Sequence, residues 1–160
     1  MAKEYSREIA ATIAEFMESE DWNYKFDEKR GVFRFGVVLG SKLKSIRYYL
    51  SINEDDYIVY AVSPIGANVE DPDQMSRVNE FLHRANYDLK YGNFEIDCTD
   101  GEVRYKCYVD CEYLEPNHQI VKESICLPAE MFKRYGDGFL QVLFTDVSPG
   151  QVIDVCEGRK

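Results

Sequence analysis

Residues 32–62 read VFRFGVVLGSKLKSIRYYLSINEDDYIVYAV, and the alternation within this stretch decides the fold. Phe33, Phe35, Val37 and Leu39 take every second place, and so do Ile46, Tyr48, Leu50 and Ile52. Successive side chains of a strand point to opposite faces, so an apolar period of two predicts half-buried strands. Three are expected: Val32–Leu39, Leu43–Ile52 and Tyr57–Val62, the last two separated by the acidic turn Asn53–Asp56. A two-residue Gly40-Ser41 turn would set Arg34 opposite Arg47, and like charges directly opposite are destabilising. A four-residue Gly40–Leu43 loop instead pairs Phe35 with Tyr48 and Phe33 with Leu50. A turn centred on Glu54-Asp55 then pairs Leu50 with Val59 and Tyr48 with Ala61. These registers leave Val38, Tyr49, Ile58, Tyr60 and Val62 on the opposite face, together with Arg34 and Arg47.

Upstream, residues 3–19 carry Ile9, Ile13, Phe16 and Met17 at helical spacing, the stripe of an amphipathic helix. Trp22–Phe26 reads as a short edge strand. Downstream, Asp71, Pro72 and Gln74 are an N-cap, a first-position proline and a capping-box partner, and they open a helix running to about Asn86. Met75, Val78, Leu82 and Ala85 are its apolar stripe. A second meander is expected from Tyr91. Its Asp100-Gly101 dipeptide reads as a two-residue hairpin turn, setting Asp97 opposite Arg104, Glu95 opposite Lys106, Phe94 opposite Cys107 and Ile96 opposite Tyr105. His118–Leu127 reads as a third strand of that meander. A helix is expected from Pro128, with Gly136 and Gly138 marking a kink or a close helix contact. Ser148-Pro149-Gly150-Gln151 opens a final turn or two.

The expected fold is therefore α+β: two helix-plus-antiparallel-meander halves, about 1–70 and 71–160, form one mainly antiparallel sheet with helices packed on it. The halves echo each other in Asn23-Tyr24 then Gly31-Val32-Phe33, against Asn86-Tyr87 then Gly92-Asn93-Phe94, which reads as a weak duplication within a single domain, 1–160. A chain of 160 residues is long enough to bury a core without metal or disulfide staples.

The segment Asn86–Pro149 resembles the YbjN family of small bacterial proteins, described as sensory transduction regulators. The likeness rests on Asn86-Tyr87, Gly92–Asp97, Asp100–Arg104, Arg134-Tyr135, Leu140–Leu143 and Ser148-Pro149. It implies a fold similar to the type III secretion chaperones, which are homodimeric and have no catalytic chemistry.

Charge and composition bound the partners. The 19 Lys and Arg against 29 Asp and Glu leave −10, a balance that argues against nucleic acid or an anionic membrane as partner. No apolar run approaches the ~20 residues of a membrane-crossing helix. Met1–Tyr5 has no basic region followed by an apolar one, so no secretory signal is read there. The five cysteines form no C-x-x-C pair, which suits reduced thiols in a cytoplasm.

No catalytic, cofactor-binding or metal residue is expected. His83 and His118 lie in no nucleophile–base or H-E-x-x-H spacing. Cys98 and Cys107 are expected on the apolar face, and Cys107 and Cys111 are roughly 13 Å apart along one strand, too far for one zinc. The acidic turns lack the glycine and terminal glutamate of a calcium loop. The sheet face carrying Val38, Arg47, Tyr49, Ile58, Tyr60 and Val62 is the candidate interaction surface. A face open to water should alternate cleanly to polar, and this one does not, while Tyr and Arg are enriched at interfaces. The alternative is that a helix of the same chain covers it. The expected function is a non-enzymatic, protein-binding or chaperone-like regulator, a homodimer or a protein partner's companion. The rivals are a small-molecule-binding or hydrolytic enzyme with a groove near His83, and a structural adaptor.

Overall fold

The computed structural model describes residues 3–159; Met1, Ala2 and Lys160, and with them the start of the Met1–Tyr5 reading and the two ends of the 1–160 domain, lie outside the described residues. Helix α1 spans Arg7–Ser19, capped by Ser6, whose hydroxyl accepts from the Ile9 amide. Strands β1 (Lys25–Asp27), β2 (Val32–Val38), β3 (Ser45–Ile52) and β4 (Asp56–Val62) follow, then α2 (Pro72–Asn86), β5 (Asn93–Ile96), β6 (Val103–Asp110), α3 (His118–Phe144) and α4 (Pro149–Cys156). The six strands form one antiparallel sheet in the order β1-β2-β3-β4-β6-β5. The fold is α+β, with helices packed on a mainly antiparallel sheet.

The first hairpin has the expected register. Phe35 pairs with Tyr48, Phe33 with Leu50, Leu50 with Val59 and Tyr48 with Ala61. The Leu39 amide donates to Lys44 O at 2.7 Å and closes the four-residue Gly40–Leu43 loop. Leu43 leaves the ladder and is buried in that loop. Of Trp22–Phe26, Trp22–Tyr24 stay outside the sheet, and only the end of the segment enters β1.

The second hairpin departs from expectation by two residues. Glu95 lies opposite Arg104, Phe94 opposite Tyr105, Ile96 opposite Val103, and Asn93 opposite Lys106. Asp97 leaves the ladder to build the turn: its amide donates to Glu102 O at 2.9 Å, its carbonyl accepts from the Gly101 amide at 2.7 Å, and its carboxylate accepts from the Thr99 amide. Gly101 supplies the left-handed residue that ends this longer loop, at φ 82°. The loop is also held from outside, since the Ala67 amide donates to Gly101 O at 2.9 Å, and a Cβ at 101 would meet Ala67 O at 2.0 Å. Cys98 is therefore exposed in the loop and does not lie on the apolar face.

His118–Leu127 is not a strand. It is the first part of α3, a 27-residue helix in which Pro128 is interior. Asn117 caps it, its side chain accepting from Ile120 N at 2.9 Å, and Val121, Ser124, Ile125 and Pro128 are buried at helical spacing. An interior proline removes a hydrogen bond and costs about 3 kcal/mol in a plain helix. Here the sheet supplies partners around the break. Tyr48 Oη donates to Ile125 O at 2.6 Å. Ser124 Oγ donates to Val121 O, so Tyr57 Oη, 3.0 Å from Ser124 Oγ, is the donor in that pair. Tyr48 thus bonds a carbonyl in the turn before Pro128 and Tyr57 holds the Ser124 side chain, whereas the carbonyl that the missing Pro128 amide leaves open is that of Ser124.

One core joins these elements. Ile9, Ile13, Phe16 and Met17 of α1, Val78, Phe81, Leu82 and Ala85 of α2, and Phe132, Phe139 and Val142 of α3 pack with Phe33, Ile46, Leu50, Val59, Tyr105 and Cys107 of the sheet. Gly138 marks a close helix contact, as expected: a Cβ there would lie 2.5 Å from Cys156 Sγ and 2.8 Å from Val152. Asp71 caps α2 by accepting from the Asp73 and Gln74 amides. Gln74 does not close the capping box. Its Nε2 donates to Leu143 O near the end of α3, and its Oε1 accepts from the Asn68 amide. Ser148 caps α4 and accepts from Gln151 N. The two halves therefore differ in build: the first ends in strands, the second in α3 and α4.

Candidate functional site

Alternate residues of the strands project away from the core, and the registers arrange them in rows across the sheet. One row runs Lys25, Arg34, Tyr49, Tyr60, Lys106, Asn93. The next runs Gly36, Arg47, Val62, Arg104, Glu95. On the other side of the first row lie Asp27, Val32, Ser51, Ile58 and Tyr108, and beyond them Asp56 and Asp110. Among the described residues, no helix covers this face: Arg34, Gly36, Arg47 and Tyr108 are exposed, and Tyr49, Ile58 and Tyr60 are half-buried.

The two central rows hold five cations and a single acid, Glu95. The argument from the −10 net charge does not extend to this face, because a whole-chain balance averages over surfaces of opposite sign. Glu95 serves two of the cations: Arg104 Nε reaches Glu95 Oε2 at 2.8 Å and Lys106 Nζ reaches Glu95 Oε1 at 2.5 Å. Partial burial pushes the Glu95 carboxyl up, but the hydrogen bonds from Lys106 and Arg104 outweigh it and hold the group below its ordinary value. The Arg104 guanidinium also lies 4.3 Å over the Tyr60 ring, and Arg34 lies 5.9 Å over Tyr49.

The predicted surface residues are only partly united. Arg47, Tyr49, Ile58 and Tyr60 are neighbours across β3 and β4. Val62 lies between Arg47 and Arg104 and is only 3% exposed, so it is no part of an accessible surface. Val38 is 82% exposed at the rim, paired with Ser45 away from the tyrosines. The residues missed by sequence reasoning are Lys25, Arg104, Lys106 and Tyr108. Strand alternation marks Arg104, Lys106 and Tyr108 as one face, but only the pairing of β4 with β6 brings that face beside Tyr60.

A cleft of about 410 Å³ opens at the β1 corner of this face. Lys25, Arg34, Arg47 and Tyr49 line it together with Gly36, and no acidic residue does. Trp22 packs edge-on against Phe35 at 5.5 Å, and the chain before Lys25 does not pair with β2. The space beside Gly36 is therefore free of a neighbouring strand.

His83 is exposed on α2, and His118 Nε2 lies 3.8 Å from Glu15 Oε2 at the surface. Burial pushes the Cys107 thiol up to about 12 and the Cys111 thiol up to about 11, the direction that suppresses thiolate. Among the described residues, no group of three or more His, Cys, Asp or Glu side chains is placed to hold a metal ion. Among the described residues, no helix is long and apolar enough to cross a membrane. The sequence matches no family model and no curated protein.

Proposed function

We propose that this chain is a non-enzymatic, protein-binding regulator of chaperone-like type, acting in the cytoplasm through the uncovered face of its sheet. The observation that carries this reading is that Tyr49, Ile58 and Tyr60 sit at the centre of a face with no helix over it. Tyrosine and arginine together are the residues that protein interfaces favour. The favoured partner is a second copy. The central rows are cationic, whereas Asp56 and Asp110 end the same face, so a two-fold axis running across the strands sets cations of one copy against acids of the other. The resemblance to the YbjN family, and through it to the homodimeric secretion chaperones, supports the same reading. Five free cysteines, with no disulfide among the described residues, are compatible with a reducing compartment.

Sedimentation at micromolar concentration, for the wild type and for Ile58→Asp with Tyr60→Asp, tests the proposal. A concentration-dependent dimer that the double variant abolishes, with circular dichroism unchanged, is the expected result. A wild type that stays monomeric at every concentration and retains no protein from its host's extract would overturn it.

A further inference from the structure

The geometry points to a ligand site in the cleft at the β1 corner, for a small phosphate ester whose remainder is flat, the chemistry of a mononucleotide. Three observations converge there. First, Lys25, Arg34 and Arg47 line one cleft that no carboxylate lines. Arg34 is shared with Asp27, at 4.0 Å, but neither Lys25 nor Arg47 has an ion-pair partner among the described residues. Like charges held together without counter-charges are unfavourable, and an anion relieves that repulsion. Two guanidinium forks also match the oxygens of a phosphate better than ammonium groups do.

Second, the main chain offers a donor in the same place. The Leu39 amide bonds to Lys44 O, and the Ile52 amide to Gly31 O, so the odd-numbered residues of β2 face β3. The amide and carbonyl of Gly36 consequently point the other way, toward the edge where β1 has already ended. No main-chain partner meets the Gly36 amide there among the described residues. Third, the floor is bare. Gly36 has ordinary extended backbone, and a Cβ added to it would find its nearest neighbour, Ile46 O, at 3.7 Å. Nothing in the packing requires glycine at this position. Its absent side chain leaves a flat floor of strand backbone beside the half-buried Tyr49 ring, suited to a planar group. The volume of about 410 Å³ falls within the usual range for small-ligand sites.

This inference goes beyond the protein-binding proposal and does not rest on it: the two surfaces share Arg47 and Tyr49, but Ile58 and Tyr60 on β4 do not line the cleft. The test is calorimetric titration with adenosine 5′-monophosphate, inorganic phosphate and adenosine, at protein concentrations where sedimentation shows one species. Saturable binding of the nucleotide is expected below about 1 mM, with phosphate at least tenfold weaker and adenosine weaker still. Arg34→Gln with Arg47→Gln should reduce nucleotide affinity at least tenfold. Gly36→Leu, which keeps every charge and fills the floor, should do the same while circular dichroism stays unchanged. Three results would each overturn the site: no saturable nucleotide binding to that limit, phosphate binding as tightly as nucleotide, or affinity indifferent to Gly36→Leu. The last would mean that the cations act as a diffuse charge and not as a built cleft.

Discussion

The two faces of the sheet are made from alternate residues of the same strands, yet they answer to different physics. On the inner face Phe33, Tyr48, Leu50, Tyr57, Val59 and Tyr105 are at most 1% exposed, and the hydroxyls of the three tyrosines have partners. On the outer face the same strands carry Arg34, Arg47, Tyr49, Ile58 and Tyr60 at least partly in water. Close packing restricts the inner residues in volume and in polarity, because a cavity or an orphaned polar group there costs kilocalories. The outer residues have no such constraint, so a cluster of cations or a bare glycine persists there without stabilising the fold. Both proposed binding surfaces lie on the outer face.

The comparison can be broken first by pH. Burial raises the pKa values of Tyr48, Tyr57 and Tyr105, and pushes the Cys107 thiol up to about 12. These groups are neutral in the folded chain and release their protons earlier in the unfolded one. Stability from this source is complete below about pH 9, declines as pH rises through the unfolded values near 9 and 10, and is lost as pH passes the raised folded ones. The expected result is cooperative alkaline unfolding, with far-UV circular dichroism lost as these tyrosinates appear in the near-ultraviolet. Full ionisation of every tyrosine with the circular dichroism intact would contradict the buried assignment.

Truncation on the inner face comes next. Leu50→Ala should lose about 2–5 kcal/mol in urea denaturation, the range for emptying a packed leucine site. Tyr60→Ala, one strand over but on the outer face, should lose less than about 1 kcal/mol, the range for surface changes outside the core. Comparable losses for the two would erase the distinction between the faces.

Smaller is the effect of one hydroxyl. Tyr48→Phe keeps the ring stacked on Phe35 but removes the donor to Ile125 O beside Pro128. It should cost roughly 1–3 kcal/mol, the penalty for orphaning a buried acceptor. No measurable loss would show that Ile125 O does not need this donor.

The smallest effect belongs to the outer ion pairs. Arg104→Ala removes one bond to Glu95, whose other bond, to Lys106, remains, and the side chains are a quarter to two-fifths exposed. A loss below about 1 kcal/mol is expected, shrinking further as salt is raised. A salt-independent loss of several kilocalories would place this pair in the core's class.

Legibility in the sequence follows the range of the interactions involved. The first hairpin could be read because its alternation is strong and two arginines veto the competing register. The second could not, since Asp97 has two good uses: a ladder place opposite Arg104, or a turn place binding the Thr99 and Gly101 amides. The turn won, helped by Ala67 from a distant loop that pairs with Gly101 O. The site was legible only in part for a similar reason. Tyr49, Ile58, Tyr60 and Arg47 follow from the first meander alone; Lys25 needs the register of the short β1 against β2, and Arg104 and Lys106 enter the same face by the pairing of β4 with β6.

Amino-acid order by itself determined the α+β class, the caps of α2 and α4, and the alternation of faces, because those depend on backbone groups and neighbours a few residues apart. Only the tertiary structure decided the fate of His118–Leu127. Its apolar residues fit a strand or a helix, and Pro128 looked like a beginning. The hydroxyls of Tyr48 and Tyr57, some 70 residues earlier in the chain, tie the turn before the proline to the sheet through Ile125 O and Ser124 Oγ, and Val121 and Ile125 are buried there at helical spacing. Burial makes that choice, since a backbone carbonyl left unpaired in water costs little and one left unpaired in a core costs kilocalories.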